Sequence, residues 1–282
     1  MAVSEELKAL VNQVPDPDKN GTYVNLDQAK TEKLRQLVAE LHQGGRDAVL
    51  GLIDMLVEPG KGSDIKPHFA LHLVAVHVTG LGDEKARAAF ALALASQVGG
   101  DRPKAVQQYL IRELQVAGGK EVAETLGKAL LDAELCDAAA QALAAIRDGA
   151  AEQLLAALPK VQGRSRLSLI KKLAVLRCGK AADAFKQALG AEDPDIRIAG
   201  AWGIARIADA SAADALLKTA DAHQDWERFN ESDACMALAD NLLAAGQKAE
   251  AMAIYMHLAR TRTGPAERHI HEAAERALAA PK

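Results

Sequence analysis

Residues 140–155 read AQALAAIRDGAAEQLL, residues 170–185 IKKLAVLRCGKAADAF and residues 201–216 AWGIARIADASAADAL. Laid over one another, Leu143, Leu173 and Ile204 coincide, as do Ile146, Leu176 and Ile207. A break follows at Gly149, Gly179 and Ala210. Beyond it Ala151, Ala181 and Ala212 align, and then Leu155, Phe185 and Leu216. Apolar residues at helical spacing on both sides of the break give each copy two amphipathic helices joined by a tight turn. One such pair cannot bury both apolar stripes alone, so neighbouring pairs must stack.

The same break can be placed at Gly82, Gly119 and Gly246, giving separations of 37, 30, 30, 31 and 36 residues. Glycine suits such turns because it enters the left-handed conformation without a Cβ clash. Alanine fills 59 of 282 positions and aromatics only 3%. Alanine favours helices and is depleted in strands, so the composition argues for an all-α fold. Period and composition together predict an all-α protein: a right-handed α-solenoid, or superhelix, of stacked antiparallel helix pairs.

The segment 193–217, DPDIRIAGAWGIARIADASAADALL, sharpens this. Asp193 is placed to cap a helix and Pro194 suits its first turn. Ile196, Ala199, Gly203, Ile204 and Ile207 follow at helical spacing. The stretch resembles a HEAT-like repeat of the short type known from phycobilisome lyases, and the resemblance extends over roughly 67–222. Residues 239–260, ADNLLAAGQKAEAMAIYMHLAR, look like a tetratricopeptide helix pair, with Gly246, Ala249 and Tyr255 at fitting places. Either resemblance implies a fold of helical pairs and neither implies an activity.

Three regions follow. Residues 1–63 form an atypical helical N-terminal cap, with helices expected at 4–13, 26–43 and 48–57. Residues 64–264 hold the repeat array, and 265–282 form a C-terminal capping helix. Terminal units of a solenoid carry more polar faces because one side meets solvent. Within the array, residues 221–233, DAHQDWERFNESD, read as the longest interruption of the period.

The net charge of −4 argues against a chain built to neutralise phosphates, so nucleic acid is not an expected partner. Arg164, Arg166, Lys171, Lys172 and Arg177 make a basic patch, and HEAT-like DNA glycosylases bind DNA through such a surface. Here the patch is short and reads as a solvated helix end. No apolar run approaches the length of a membrane span. The N-terminal MAVSEELKAL lacks the basic flank and apolar core of a signal peptide. The cytoplasm is the default expectation; a secreted or periplasmic setting stays open if a leader has been removed. Cys136, Cys178 and Cys235 are widely spaced and read as small buried hydrophobes.

One local motif points to a metal. In DPDKNG at 16–21, followed by Asp27, the residues Asp16, Asp18 and Asn20 fall at positions 1, 3 and 5 of a calcium loop. Gly21 takes the sharp turn, Thr22 offers its carbonyl and Asp27 stands at position 12. Hard oxygen ligands at alternate positions can wrap one Ca2+, and the stretch looks like an EF-hand loop. The other reading is a solvent turn, which favours the same Pro, Asp, Asn and Gly.

Histidines offer less. His271-Glu272 resembles the His-Glu motif of deoxyhypusine hydroxylase, a HEAT-like di-iron enzyme that needs several such dipeptides; one is present. His68 and His72 share a helix face and His77 is rotated off it, so they read as packing residues. HExxH, GxGxxG, GxxxxGK[ST] and GxSxG are absent.

The function these features support is a non-catalytic scaffold that binds a protein or peptide, acting as a monomer and needing no cofactor. Its candidate contact residues are polar positions of the second helices on a concave wall: Lys120, Glu124, Lys128, Glu152, Lys180, Asp183, Lys186, Asp214 and Lys218. Trp226, Arg228 and Phe229 join them as hot-spot residue types in the interruption; the other reading of Trp226 is a seal over the gap between two units. A calcium-regulated repeat protein using Asp16, Asp18, Asn20, Thr22 and Asp27 is the alternative. A HEAT-like enzyme or lyase is the third reading, with no residue singled out for it.

Overall fold

The computed structural model describes residues 3–18, 23 and 26–280. Among these residues every regular element is helical, as the composition requires. The chain opens with α1 (Glu5–Asn12), α2 (Gln28–Gln43) and α3 (Gly45–Asp54). Helix pairs follow: α4 (Ile65–Gly80) with α5 (Glu84–Ala95), α6 (Lys104–Ala117) with α7 (Ala123–Ala129), and α8 (Cys136–Ile146) with α9 (Ala150–Ala157). The series continues with α10 (Gly163–Val175) and α11 (Ala182–Ala188), then α12 (Pro194–Ile207) and α13 (Ala213–Ala222). The last pair is α14 (Asp225–Ala244) and α15 (Lys248–Thr261), closed by α16 (Arg268–Ala279). None of the described helices is long and apolar enough to cross a membrane. The fold class is the expected one, an all-α array of stacked helix pairs.

The helices form two compact units, 1–153 and 154–282, whose division falls within α9. In the first, α4 packs on α6 and α6 on α8. α2 packs on α4 and α3 on α5, so the N-terminal helices extend the stack by a layer. Ser4 caps α1 by accepting from Leu7 N at 3.2 Å. In the second unit α10 packs on α12 and α12 on α14, while α13 and α15 lie on α14 and α16 closes against α15.

Repeat-equivalent residues do equivalent work. Leu143, Leu173 and Ile204 are fully buried, each contributing about 1.5–3 kcal/mol by leaving water. Buried alanines flank them, Ala139, Ala140 and Ala142 in α8 and Ala201 and Ala205 in α12, and let the backbones approach closely. The second helices begin with a single 3-10 turn at Lys120–Val122, Gly179–Ala181 and Ala210–Ala212.

The turn chemistry differs from the glycine expectation. Gly82, Gly149 and Gly246 do take positive φ, but Gly119 is extended and Gly179 is not left-handed. The left-handed residue that ends the first helix is Arg147, Arg177 or Ala208, at intervals of 30 and 31 residues. After α10, α12 and α14 the next amide reaches back to a helix carbonyl: Cys178 N to Leu173 O, Asp209 N to Ile204 O and Gln247 N to Leu242 O. This is the Schellman closure, which satisfies carbonyls the helix end would leave unpaired.

Residues 221–233 do lengthen the period, but as helix and not as a loop. α13 runs to Ala222, two residues turn, and α14 begins at Asp225 and continues for 20 residues. The apolar period fails there because the core-facing side of its first turns carries Glu231 and Ser232, both fully buried. A polar core defeats a hydrophobic-periodicity reading of a regular helix.

Candidate functional site

Two features of the second unit stand out, an open groove and a buried ionic cluster. The groove lies between α13 and α15 and measures about 640 Å3. Its floor is Leu217 and Ile254, and Met256 stands 55% exposed at its side. Asp214 and Glu250, near the starts of the two helices, make one end acidic. Arg260, near the end of α15, makes the other basic, with His257 beside it. His257 Nε2 is itself 2.8 Å from Asp221 Oδ2.

The cluster surrounds the start of α14. His223 Nδ1 lies 3.2 Å from Glu227 Oε1 and 2.9 Å from Glu231 Oε2. The spacing of four residues puts the two carboxylates on one helix face. Arg197 of α12 grips Glu227 through Nε at 2.5 Å and Nη2 at 2.9 Å, while its Nη1 donates to the carbonyls of Ala191 and Glu192. That guanidinium holds the Glu227 carboxyl below its ordinary range. Burial pushes the Glu231 carboxyl up, against the pull of His223. Glu231 Oε1 has no hydrogen-bond partner.

Beside it runs a second network. Arg262 is fully buried; its Nη1 donates to Asp221 Oδ1 at 2.6 Å and its Nε to Ser232 Oγ at 2.8 Å. Glu267, 3.3 Å from Arg262 Nε, also accepts from Arg228 Nε at 2.6 Å. Burial pushes the nearby Cys235 thiol up to about 12, which leaves it unreactive. Cys136 and Cys178 are buried as well, and the described residues form no disulfide.

The sequence candidates distribute as follows. Lys120, Glu124, Lys128 and Glu152 are exposed in the first unit, with Lys128 2.9 Å from Glu124 one turn away. Lys180, Asp183, Asp214 and Lys218 are exposed in the second unit, and Asp214 lines the groove. Lys186 is tied down, 3.0 Å from Asp209 and bonded to Ser211 Oγ at 2.9 Å. Trp226 is 55% exposed, but Arg228 is engaged by Glu267 and Phe229 is half-buried.

Asp27 caps α2, its Oδ1 accepting from Lys30 N at 2.8 Å, and Asp16 pairs with Lys66 at 2.9 Å. Asn20 and Thr22 lie outside the described residues, as does Gly21. His271 Nδ1 is directed at Ala259 O, whereas Glu272 bonds Arg268 Nε at 2.6 Å, so the dipeptide's side chains serve different contacts. His72 meets Glu113, a partner 41 residues away that spacing could not reveal. His68 turns to Asp64 and His77 packs edge-on against His42. Sequence reasoning missed His223, Glu227 and Glu231, although H-x3-E-x3-E is visible once the segment is known to be helical.

No protein-family model and no curated protein matches the chain. Solved structures do. Kap121p, a helical-repeat karyopherin seen bound to Nup53p, aligns over 100% of this chain and 35% of its own, with 14% identity and a TM-score of 0.50. An engineered protein aligns over 96% of this chain and 77% of its own, with 19% identity and a TM-score of 0.47. Human deoxyhypusine hydroxylase in complex with glycerol covers 97% and 95%, with 18% identity and a TM-score of 0.32. The likeness to Kap121p is one of fold, and the chain spans about a third of that protein's length.

Proposed function

We propose that the chain is a non-catalytic scaffold that holds a segment of another protein in the groove between α13 and α15. The observation that carries this reading is the groove's chemistry: an apolar floor, an exposed Met256, an acidic end and a basic end. A thioether adapts to varied apolar partners, and Met is enriched at binding surfaces. The fitting ligand is a short peptide with an apolar centre, a basic residue toward Asp214 and Glu250, and an acidic residue toward Arg260. Kap121p, a helical-repeat protein of related fold, is seen with a polypeptide bound, which supports the reading. The repeats fit the short HEAT-like type, with α14 and α15 as a tetratricopeptide-like pair.

The test is fluorescence anisotropy with a labelled peptide of that design and a second peptide with its two charged ends exchanged. Met256→Lys should weaken the first peptide by tenfold or more, about 1.4 kcal/mol. Glu250→Lys should weaken it and favour the exchanged peptide. Equal binding of both peptides, or indifference to both substitutions, overturns the proposal.

A further inference from the structure

His223 offers one ring nitrogen to two carboxylates at once. Nδ1 carries at most one proton, so Glu227 Oε1 and Glu231 Oε2 can at best share a single N–H donor between them. Glu231 is fully buried, and its second oxygen finds no donor. A buried carboxylate oxygen without a partner is costly, and native structures rarely keep one without a reason. The guanidinium of Arg197 engages Glu227 and makes no hydrogen bond to Glu231.

A cation among these groups bonds His223 Nδ1 and both carboxylates at once, and it reaches the unpartnered Glu231 Oε1 when that carboxylate binds through both of its oxygens. The ligand atoms of His223, Glu227 and Glu231 lie within 4.8 Å of one another. The separations of 2.9 and 3.2 Å match the edges of a coordination shell, about 3 Å between donors whose bonds to the metal are about 2.0–2.2 Å. We propose that His223, Glu227 and Glu231 bind one divalent transition-metal ion, with Zn2+ the best match to an imidazole and two carboxylates.

The surroundings are those of a metal site. Arg197 fixes Glu227 from the neighbouring first helix, and is itself fixed by two backbone carbonyls. Such outer contacts orient ligands and tune affinity. Glu231 is anchored in the core, while the His223 side chain is 27% exposed and marks the route of entry. Three protein ligands leave a further position for water. The site is independent of the groove between α13 and α15 and of the 16–27 loop, whose donors are hard oxygens alone.

The experiment is calorimetric titration of the chelator-stripped full chain with Zn2+, repeated with Co2+ and read by visible absorption. One ion per chain is expected, with Co2+ bands characteristic of mixed nitrogen and oxygen ligation. Glu231→Gln keeps the shape of the side chain and should weaken binding at least about 100-fold, more than the 10–100-fold typical of losing an outer contact. His223→Ala should do the same, with circular dichroism verifying the fold; if that variant fails to fold, Glu231→Gln decides alone. Asp16→Asn with Asp18→Asn should leave Zn2+ affinity unchanged. Absence of binding at millimolar Zn2+ overturns the proposal, as does full retention in Glu231→Gln.

Discussion

The ring of Phe185 occupies the space that a side chain on Gly203 would need: a Cβ there would come within 2.3 Å of Cδ1 and 2.6 Å of Cε1. Phe185 is fully buried in α11, and Gly203 faces it from α12. Gly203→Ala should therefore destabilise the protein even though alanine is the better helix former. Overpacking costs about 1–3 kcal/mol and the propensity gain offsets at most about 1 kcal/mol. Gly203→Val should cost more. Urea unfolding followed by circular dichroism measures both, and a midpoint at or above the wild-type value would refute the contact.

Ala208 ends α12 with φ 53°, a conformation in which a Cβ is strained. Ala208→Gly should stabilise by about 0.5–1 kcal/mol, the strain relieved outweighing the extra freedom of the unfolded chain. Arg177→Gly, in the same register at φ 51°, should act alike. A lower unfolding midpoint in both variants would contradict the assignment.

His72 Nδ1 lies 3.0 Å from Glu113 Oε2, and Glu113 is only 5% exposed. Hydrogen bonding to Glu113 raises the His72 pKa, outweighing burial, and the carboxylate charge adds to it. A raised folded-state pKa stabilises fully below the ordinary histidine value of 6.5, and the contribution disappears as pH rises through the folded value. Stability measured from mildly acidic to mildly alkaline pH should fall by a component that Glu113→Gln removes. With His72 nearly half exposed, that component stays below about 1 kcal/mol. An identical pH profile in the variant would exclude this pair as its source.

Arg262 should be among the most sensitive positions of the second unit. Truncating it to alanine removes its bonds to Asp221 and Ser232, at a cost of about 1.5–3 kcal/mol, while Asp221 keeps His257 and Glu267 keeps Arg228. Glu267→Ala leaves Arg262 its bonds to Asp221 and Ser232 and leaves Arg228 the carbonyls of Ala220 and Thr261, so it should be milder. Thermal unfolding decides, and a shift no larger than that of an exposed control such as Lys218→Ala would show that the network contributes little.

The array was legible from Leu143, Leu173 and Ile204 because apolar residues at helical spacing report burial directly. The ionic cluster was not, because Glu231, Ser232 and Arg262 are buried by tertiary packing that composition alone reads as solvent-facing. Trp226 is exposed, which the sequence left open against a seal between two units, whereas Arg228 beside it belongs to a structural pair whose other half lies 39 residues on. The groove combines Asp214, a sequence candidate, with Glu250, Met256 and Arg260, whose grouping depends on how α13 and α15 are set over α14.

At the ends of α10, α12 and α14 the backbone closes the same way while the residue that turns it is Arg177, Ala208 or Gly246. What recurs is the bend, not the letter. A gene that duplicates or drops a segment from one such bend to the next would join like to like, with the cut falling outside both flanking helices. The length of the array can change by whole helix pairs, and each new pair is then free to acquire its own surface.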